Sequence, residues 1–179
     1  MLIAQSDATN KAHRAWKVLQ LLKQTREELS IKGLYPKLHT YNWILVAAST
    51  ETIQEDYHKK STSILELSTK IFTEMKENKS LRFQADSLTY NSLLKIAREF
   101  VYNEVHQRHV IEDLFVRCCL DGMMDRGILK TLHHCSPGIF HERVVGEDGK
   151  TYRPFVDNYD FPEDWMRNVE RKYRPHAAP

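Results

Sequence analysis

Apolar residues recur at intervals of three and four along most of this chain, the spacing of amphipathic helices. Ala12, Ala15, Trp16, Leu19, Leu22 and Leu29 form one such stripe within residues 8–32, and Gly33 is placed to end it. Tyr41, Ile44, Leu45 and Ala48 predict a second helix over residues 41–49. Ile64, Leu65, Ser68, Ile71, Phe72 and Met75 predict a third over 64–78. Tyr90, Leu93, Leu94, Ala97 and Phe100 predict a fourth over 89–102. A fifth, over 105–120, rests on Ile111, Leu114, Phe115 and Cys118, with Gly122 closing it. A short sixth, over 124–135, rests on Ile128, Leu129 and Leu132. The polar run Thr50 to Ser63 reads as an insertion, either loop or helical extension. Prolines cluster late, at 137, 154, 162, 175 and 179, so residues 136–179 read as an irregular tail.

Two of these helices open alike. His39-Thr40-Tyr41-Asn42-Trp43-Ile44-Leu45 is echoed by Leu88-Thr89-Tyr90-Asn91-Ser92-Leu93-Leu94. In each, Thr is expected as the N-cap. The Tyr shares a helix face with the apolar residues three and four positions on, and the Asn is expected to look away from that packed face. A helix precedes each stretch: the Trp16 stripe and the Gly33…Pro36 turn before the first, Ile71 to Met75 and Leu81 to Asp86 before the second. Internal repetition of this kind decides the fold class.

The Thr-Tyr-Asn motifs, the Phe72 and Met75 pair and the Gly33…Pro36 turn resemble those of pentatricopeptide repeat proteins over residues 8–135. The spacing from Asn42 to Asn91, 49 residues, exceeds the family's period of about 35, which the insertion at 50–63 explains. The resemblance implies an all-α, right-handed, PPR-like solenoid of two to three helical hairpins. The first hairpin is incomplete, so the chain is expected to begin mid-array. Leu114 to Gly122 and Pro162 to Val169 resemble the closing segment of algal-type members, which makes 136–179 a cap.

The same resemblance implies sequence-selective binding of single-stranded RNA in a mitochondrion or plastid, where such proteins take part in RNA processing, stability or translation. It carries base reading to Asn42, paired with Asp86, and to Asn91, whose partner falls at Asp121. His39 and Leu88 take the positions that flank a base, and an Asn with an Asp favours uracil. Lys37 stands where the family has Asp or Asn, so the first hairpin has no assigned base.

The residues add their own argument. Asn91, Lys95 and Arg98 sit at i, i+4 and i+7, on one stripe of the fourth helix. An amide followed by two cations suits a single strand, its base edge and its phosphates. The matching stripe on the second helix, Asn42, Val46 and Ser49, carries no cation. Stacking and edge contacts worth about 1–3 kcal/mol per base give millimolar to micromolar affinity for two or three bases. Protein partners or self-association are therefore expected beside RNA. The alternative is a helical-repeat scaffold for protein interaction, which would carry apolar hot spots instead.

Composition narrows this further. The net charge of +2 excludes bulk polycationic attraction, so RNA contacts must come from placed residues. No apolar run approaches the roughly 20 residues that span a bilayer. The N-terminus shows neither a secretory signal nor an Arg- and Ser-rich leader.

Three cysteines, Cys118, Cys119 and Cys135, form no even disulfide framework, and Cys118 and Cys135 are expected as buried thiols. His133-His134-Cys135 lacks the two-to-four-residue ligand spacing of zinc sites, so no metal is expected. The acids Asp157, Asp160, Glu163 and Asp164 have too little chain around them to build a nuclease domain. No phosphate loop or nucleophile elbow occurs, so no catalytic residue and no cofactor are expected.

Overall fold

A computed structural model describes residues 10–30, 35–52, 57–77, 84–145, 162–170 and 173–174. The fold is all-helical; the described residues contain no strand. Among the described residues seven α-helices follow in order: α1 Lys11–Glu28, α2 Leu38–Ser49, α3 Tyr57–Glu77, α4 Ser87–Phe100, α5 Glu104–Leu120, α6 Arg126–Cys135 and α7 Pro137–Phe140. A π-helical turn, His141–Val145, and a 3-10 turn, Glu163–Met166, complete them. No helix is long and apolar enough to cross a membrane among the described residues. The chain divides into two compact units, Met1–Ala85 and Asp86–Pro179.

In the first unit α2 packs against both α1 and α3. Ala12, Trp16 and Leu19 of α1 meet the apolar side of α2, where Tyr41, Ile44, Leu45, Ala47 and Ala48 are all buried. Ile64, Leu67, Ile71 and Met75 bring α3 into the same core. Much of the polar run expected as an insertion is helical, because α3 begins at Tyr57. Leu29 is not in the core as expected: α1 stops one residue before it and it stays 65% exposed. Gly33 and residues 53–56 and 78–83 lie outside the described residues.

In the second unit α4 packs against both α5 and α6. Tyr90, Leu93, Leu94, Ala97 and Phe100 form its inner stripe, met by Ile111, Phe115 and Cys118 from α5 and by Ile128 and Leu132 from α6. Helix starts are set by short polar side chains that satisfy orphan N–H groups. The Asn103 side chain accepts from His106 N at 2.9 Å and Asp125 from Ile128 N at 2.8 Å. At the far end of α4, Gln107 Nε2 donates to the Arg98 and Val101 carbonyls, each at 2.8 Å.

The expected N-cap threonines are displaced. Asp86 caps α4, accepting from Thr89 N at 2.9 Å, while Thr89 Oγ1 accepts from Asp86 N at 3.1 Å. That is a capping box with Thr89 at its third helical position. Asp86 wins because it stands three residues earlier, with an acceptor that reaches back to the first turn. In α2, Thr40 holds the same third position behind Lys37, which makes no side-chain cap.

Helix α5 ends in a Schellman motif. Gly122 N donates to Cys119 O at 2.9 Å and Met123 N to Cys118 O at 3.0 Å, with Gly122 at φ +70°. The segment Pro162–Val169 closes on this turn. Met124 N donates to Trp165 O at 2.9 Å, Asn168 N to Gly122 O at 3.0 Å, and Arg167 Nη2 to Leu120 O. The Trp165 ring stands edge-on to Phe115 at 5.7 Å. Residues Glu163–Met166 of the tail form a 3-10 turn, and Met166 and Val169 are buried there.

A Cβ at residue 122 would lie 2.5 Å from Arg167 Cγ and 3.1 Å from Asp164 O. Gly122→Ala is therefore expected to cost about 1–3 kcal/mol, from left-handed strain plus a backbone clash. Denaturant midpoints of the full chain check this; a variant as stable as wild type would remove the tail segment from its assigned place.

Candidate nucleic-acid interface

The N-caps put three helices in one register. Lys37, Asp86 and Asp125 stand at the N-cap positions of α2, α4 and α6, so Tyr41, Tyr90 and Leu129 correspond, and all three are buried. The next residues are Asn42, Asn91 and Lys130. The correspondence extends to the flanking helices. Tyr41 Oη donates to Glu74 Oε1 of α3 at 2.6 Å, and Tyr90 Oη donates to Asp121 Oδ2 at the end of α5. Each tyrosine thus locks its helix to the carboxylate closing the helix that follows.

In the first unit Glu74 also pairs with Lys23 of α1, whose ammonium lies 5.4 Å from both the Trp16 and Tyr41 ring centroids. Burial raises both phenols far above their ordinary range, and the hydrogen-bonded carboxylates raise them further. A phenol raised on folding keeps its proton where the unfolded chain has lost it. Its contribution is complete below about pH 10 and is lost as pH rises above that value. In an alkaline titration, two of the eight tyrosines should develop tyrosinate absorbance only as helix content falls. Full ionisation of a chain still folded would refute the buried pairs.

Helices α4 and α6 carry the accessible part of the site. Ser87 Oγ donates to Met123 O at 2.7 Å, Thr131 Oγ1 to Asn91 Oδ1 at 2.5 Å, and Arg98 Nη1 to His134 O at 2.6 Å. These bonds advance in the same direction along both helices, so α4 and α6 run parallel and level. On α4, Leu88, Asn91, Lys95 and Arg98 form one stripe, with Leu88 45% exposed and both cations exposed. At the corresponding positions stand Gly127, Lys130 and His134 of α6 and Pro137 at the start of α7, all exposed.

The Asn91 carboxamide is oriented by Thr131, which uses its oxygen, and its NH₂ has no partner among the described residues. Lys95 likewise makes no ion pair there. Cys135 lies beside this edge. Burial pushes its thiol up, and the nearby Arg98 and Lys95 charges pull it partly back. Cys135 is half-buried, not buried as expected, because it ends α6. Cys118 and Cys119 are buried; burial raises the first far above the ordinary range and the second to about 12. Both stay protonated thiols at neutral pH. Among the described residues no three His, Cys, Asp or Glu side chains gather to hold a metal ion.

The remaining residues named from sequence are distributed differently. Asn42 is 2% exposed and does not look away from the packed face as its position had implied. Its helix is enclosed on several sides: Tyr41, Ile44, Leu45, Ala47 and Ala48 are buried as well. His39, one turn earlier, is exposed. Asn42 belongs to the first unit, whereas Asp86 opens the second, where its carboxylate serves the α4 cap. Asp121, named as the partner of Asn91, accepts from Tyr90.

Lys130 and Thr131 were not among the residues named from sequence, and His134 was weighed there only as a metal ligand. The signal for them is Asp125, which repeats Asp86 at the head of another apolar stripe. Without a Tyr-Asn pair after it, α6 does not announce its register. No family model, curated protein or solved structure matches this chain.

Proposed function

We propose that this chain binds single-stranded RNA in a sequence-selective way through the parallel edge of α4 and α6. On this reading the helices belong to a right-handed, PPR-like stack of hairpins closed by the segment around Trp165. The single observation that carries it is the Asn91 amide, oriented by Thr131, with its NH₂ available and Lys95 and Arg98 along the same stripe. An NH₂ can donate to a base carbonyl such as uracil O4 or O2, and Leu88 offers an apolar surface against the base face. Lys95, Arg98 and Lys130 meet phosphate. The chain works by binding and not by catalysis, in a mitochondrion or plastid as its resemblance implies, with few bases read per chain and further subunits or protein partners adding affinity.

Asn91→Ala is expected to weaken binding by about 1–3 kcal/mol and to blunt the preference among bases. Fluorescence anisotropy against homopolymeric single strands checks this. An unchanged ranking of bases in the variant would contradict the assignment.

A scaffold for protein partners is the second reading, favoured by one observation on another helix. Val18 and Leu21 of α1 are 54% and 61% exposed, a pair of large apolar side chains facing solvent.

A further inference from the structure

Helix α5 is apolar on two faces. Ile111, Phe115 and Cys118 form the inner one, which packs on α4. On the outer one Val105, Val116 and Leu120 are 66%, 42% and 67% exposed. The outward positions of α3, among them Thr62, Glu66, Thr69 and Thr73, show the ordinary polar contrast. Val105, His109, Glu112 and Val116 follow one another at steps of four, three and four, and Leu120 stands four further on. That is the spacing of a seam between two helices. His109 is exposed and Glu112 half-buried.

This stripe complements itself when it is turned around. Under a twofold axis between residues 110 and 111, Val105 of one copy meets Val116 of the other, and His109 meets Glu112. Each contact then occurs twice, as an isologous interface requires. On one flank His106 comes within a turn of Asp113 of the other copy. Both side chains are exposed and make no hydrogen bond or ion pair among the described residues. The other flank is held within the chain: Arg108 pairs with Glu142 at 2.5 Å, and Arg143 Nε donates to Glu112 Oε1 at 2.9 Å. A parallel pairing would instead set His109 on His109 and Glu112 on Glu112, like against like.

We propose that the outer face of α5 is a self-association surface, on which a second copy of this chain docks with its own α5 antiparallel. Two apolar layers of Val105 and Val116 close the ends of the seam. Two His109–Glu112 layers between them fix register and direction, as a polar pair in a seam does, at some cost in strength. The helix of 17 residues is about 25 Å long, so the surface is smaller than a standard interface and the dimer is weak. This inference goes beyond the RNA reading and does not rest on it. Asn91, Lys95, Arg98 and Lys130 lie on other helices, so each copy keeps its own α4–α6 edge.

The test is sedimentation equilibrium of the full chain without RNA, at loading concentrations from about 5 to 500 μM. A reversible monomer–dimer equilibrium is expected. Val105→Glu should weaken it at least about tenfold by placing a charge against Val116. Asp113→Lys and His106→Glu should each weaken it about threefold or more, since each sets like charges on one flank. The double variant Asp113→Lys with His106→Glu restores opposite charges and should recover affinity to within about twofold of wild type. All of these side chains are exposed, so circular dichroism of each variant should match wild type.

A chain that stays monomeric throughout, or a double variant no better than its two parents, would overturn the proposal. So would a dimer that survives Val105→Glu and is lost in Val18→Glu, which would move the contact to the exposed face of α1. Asn91→Ala should leave the dimer as it is. Failure of the RNA reading and failure of this one are therefore separate results.

Discussion

Tyr90→Ala is expected to lower the stability of the chain by about 3–5 kcal/mol, the cost of emptying a fully enclosed aromatic site. The ring is wholly buried, and the helix it occupies packs on both α5 and α6, so no neighbour can collapse into the space without losing its own contacts. Tyr90→Phe separates the two parts of that cost. It keeps the ring and removes only the hydroxyl that donates to Asp121. A hydrogen bond to a charged acceptor is worth about 1.5–3 kcal/mol, so the phenylalanine variant should lose roughly that amount. Tyr41→Phe should behave alike through Glu74. Denaturant unfolding of the four proteins, including wild type, measures this. If Tyr90→Phe is as stable as wild type, the tyrosine–carboxylate pair is no lock, and the correspondence between the two units loses its energetic meaning.

Joint replacement of Lys95 and Arg98 by alanine is the second large effect. Both cations are exposed on the α4 edge, and Arg98 spends one guanidinium donor on the His134 carbonyl. A second contact goes to the Cys135 thiol; on the proposed reading the remaining donors and the Lys95 ammonium meet phosphate oxygens. Each phosphate neutralised on a single strand contributes about 0.7 to the slope of log K against log salt. The double variant should therefore bind every sequence more weakly and show a slope smaller by about 1.4. Asn91→Ala should do the reverse, changing base preference and leaving the slope as it was. A double variant whose loss depends on the base offered would mean that these side chains are not on the backbone.

The helices themselves were legible because each has an apolar stripe at helical spacing, and α4 shows why. Tyr90, Leu93, Leu94, Ala97 and Phe100 announce its inner face, and all five are buried. Helix ends were less legible. Thr89 reads as a cap by residue type, yet Asp86 takes the role because it stands one turn earlier and bonds Thr89 itself. Asn42 and Asn91 each follow a Thr-Tyr pair in sequence, and their surroundings differ. Asn91 borders an open edge beside Thr131, while Asn42 lies in a short, mostly apolar helix packed on several sides. Periodicity assigns a face to a residue; it does not say which other chain segment covers that face. The pairing of Asn91 with Thr131 joins residues 40 apart, and no local pattern encodes it.

The claim that the α4–α6 edge meets RNA is tested most directly by photocrosslinking the full chain to single-stranded RNA substituted with a photoreactive uracil. Peptide mapping is expected to find the attached nucleotide within residues 88–98 and 130–134, with the yield falling in Asn91→Ala. Crosslinks confined to the exposed apolar face of α1, or none at RNA concentrations in the high micromolar range, would contradict the account.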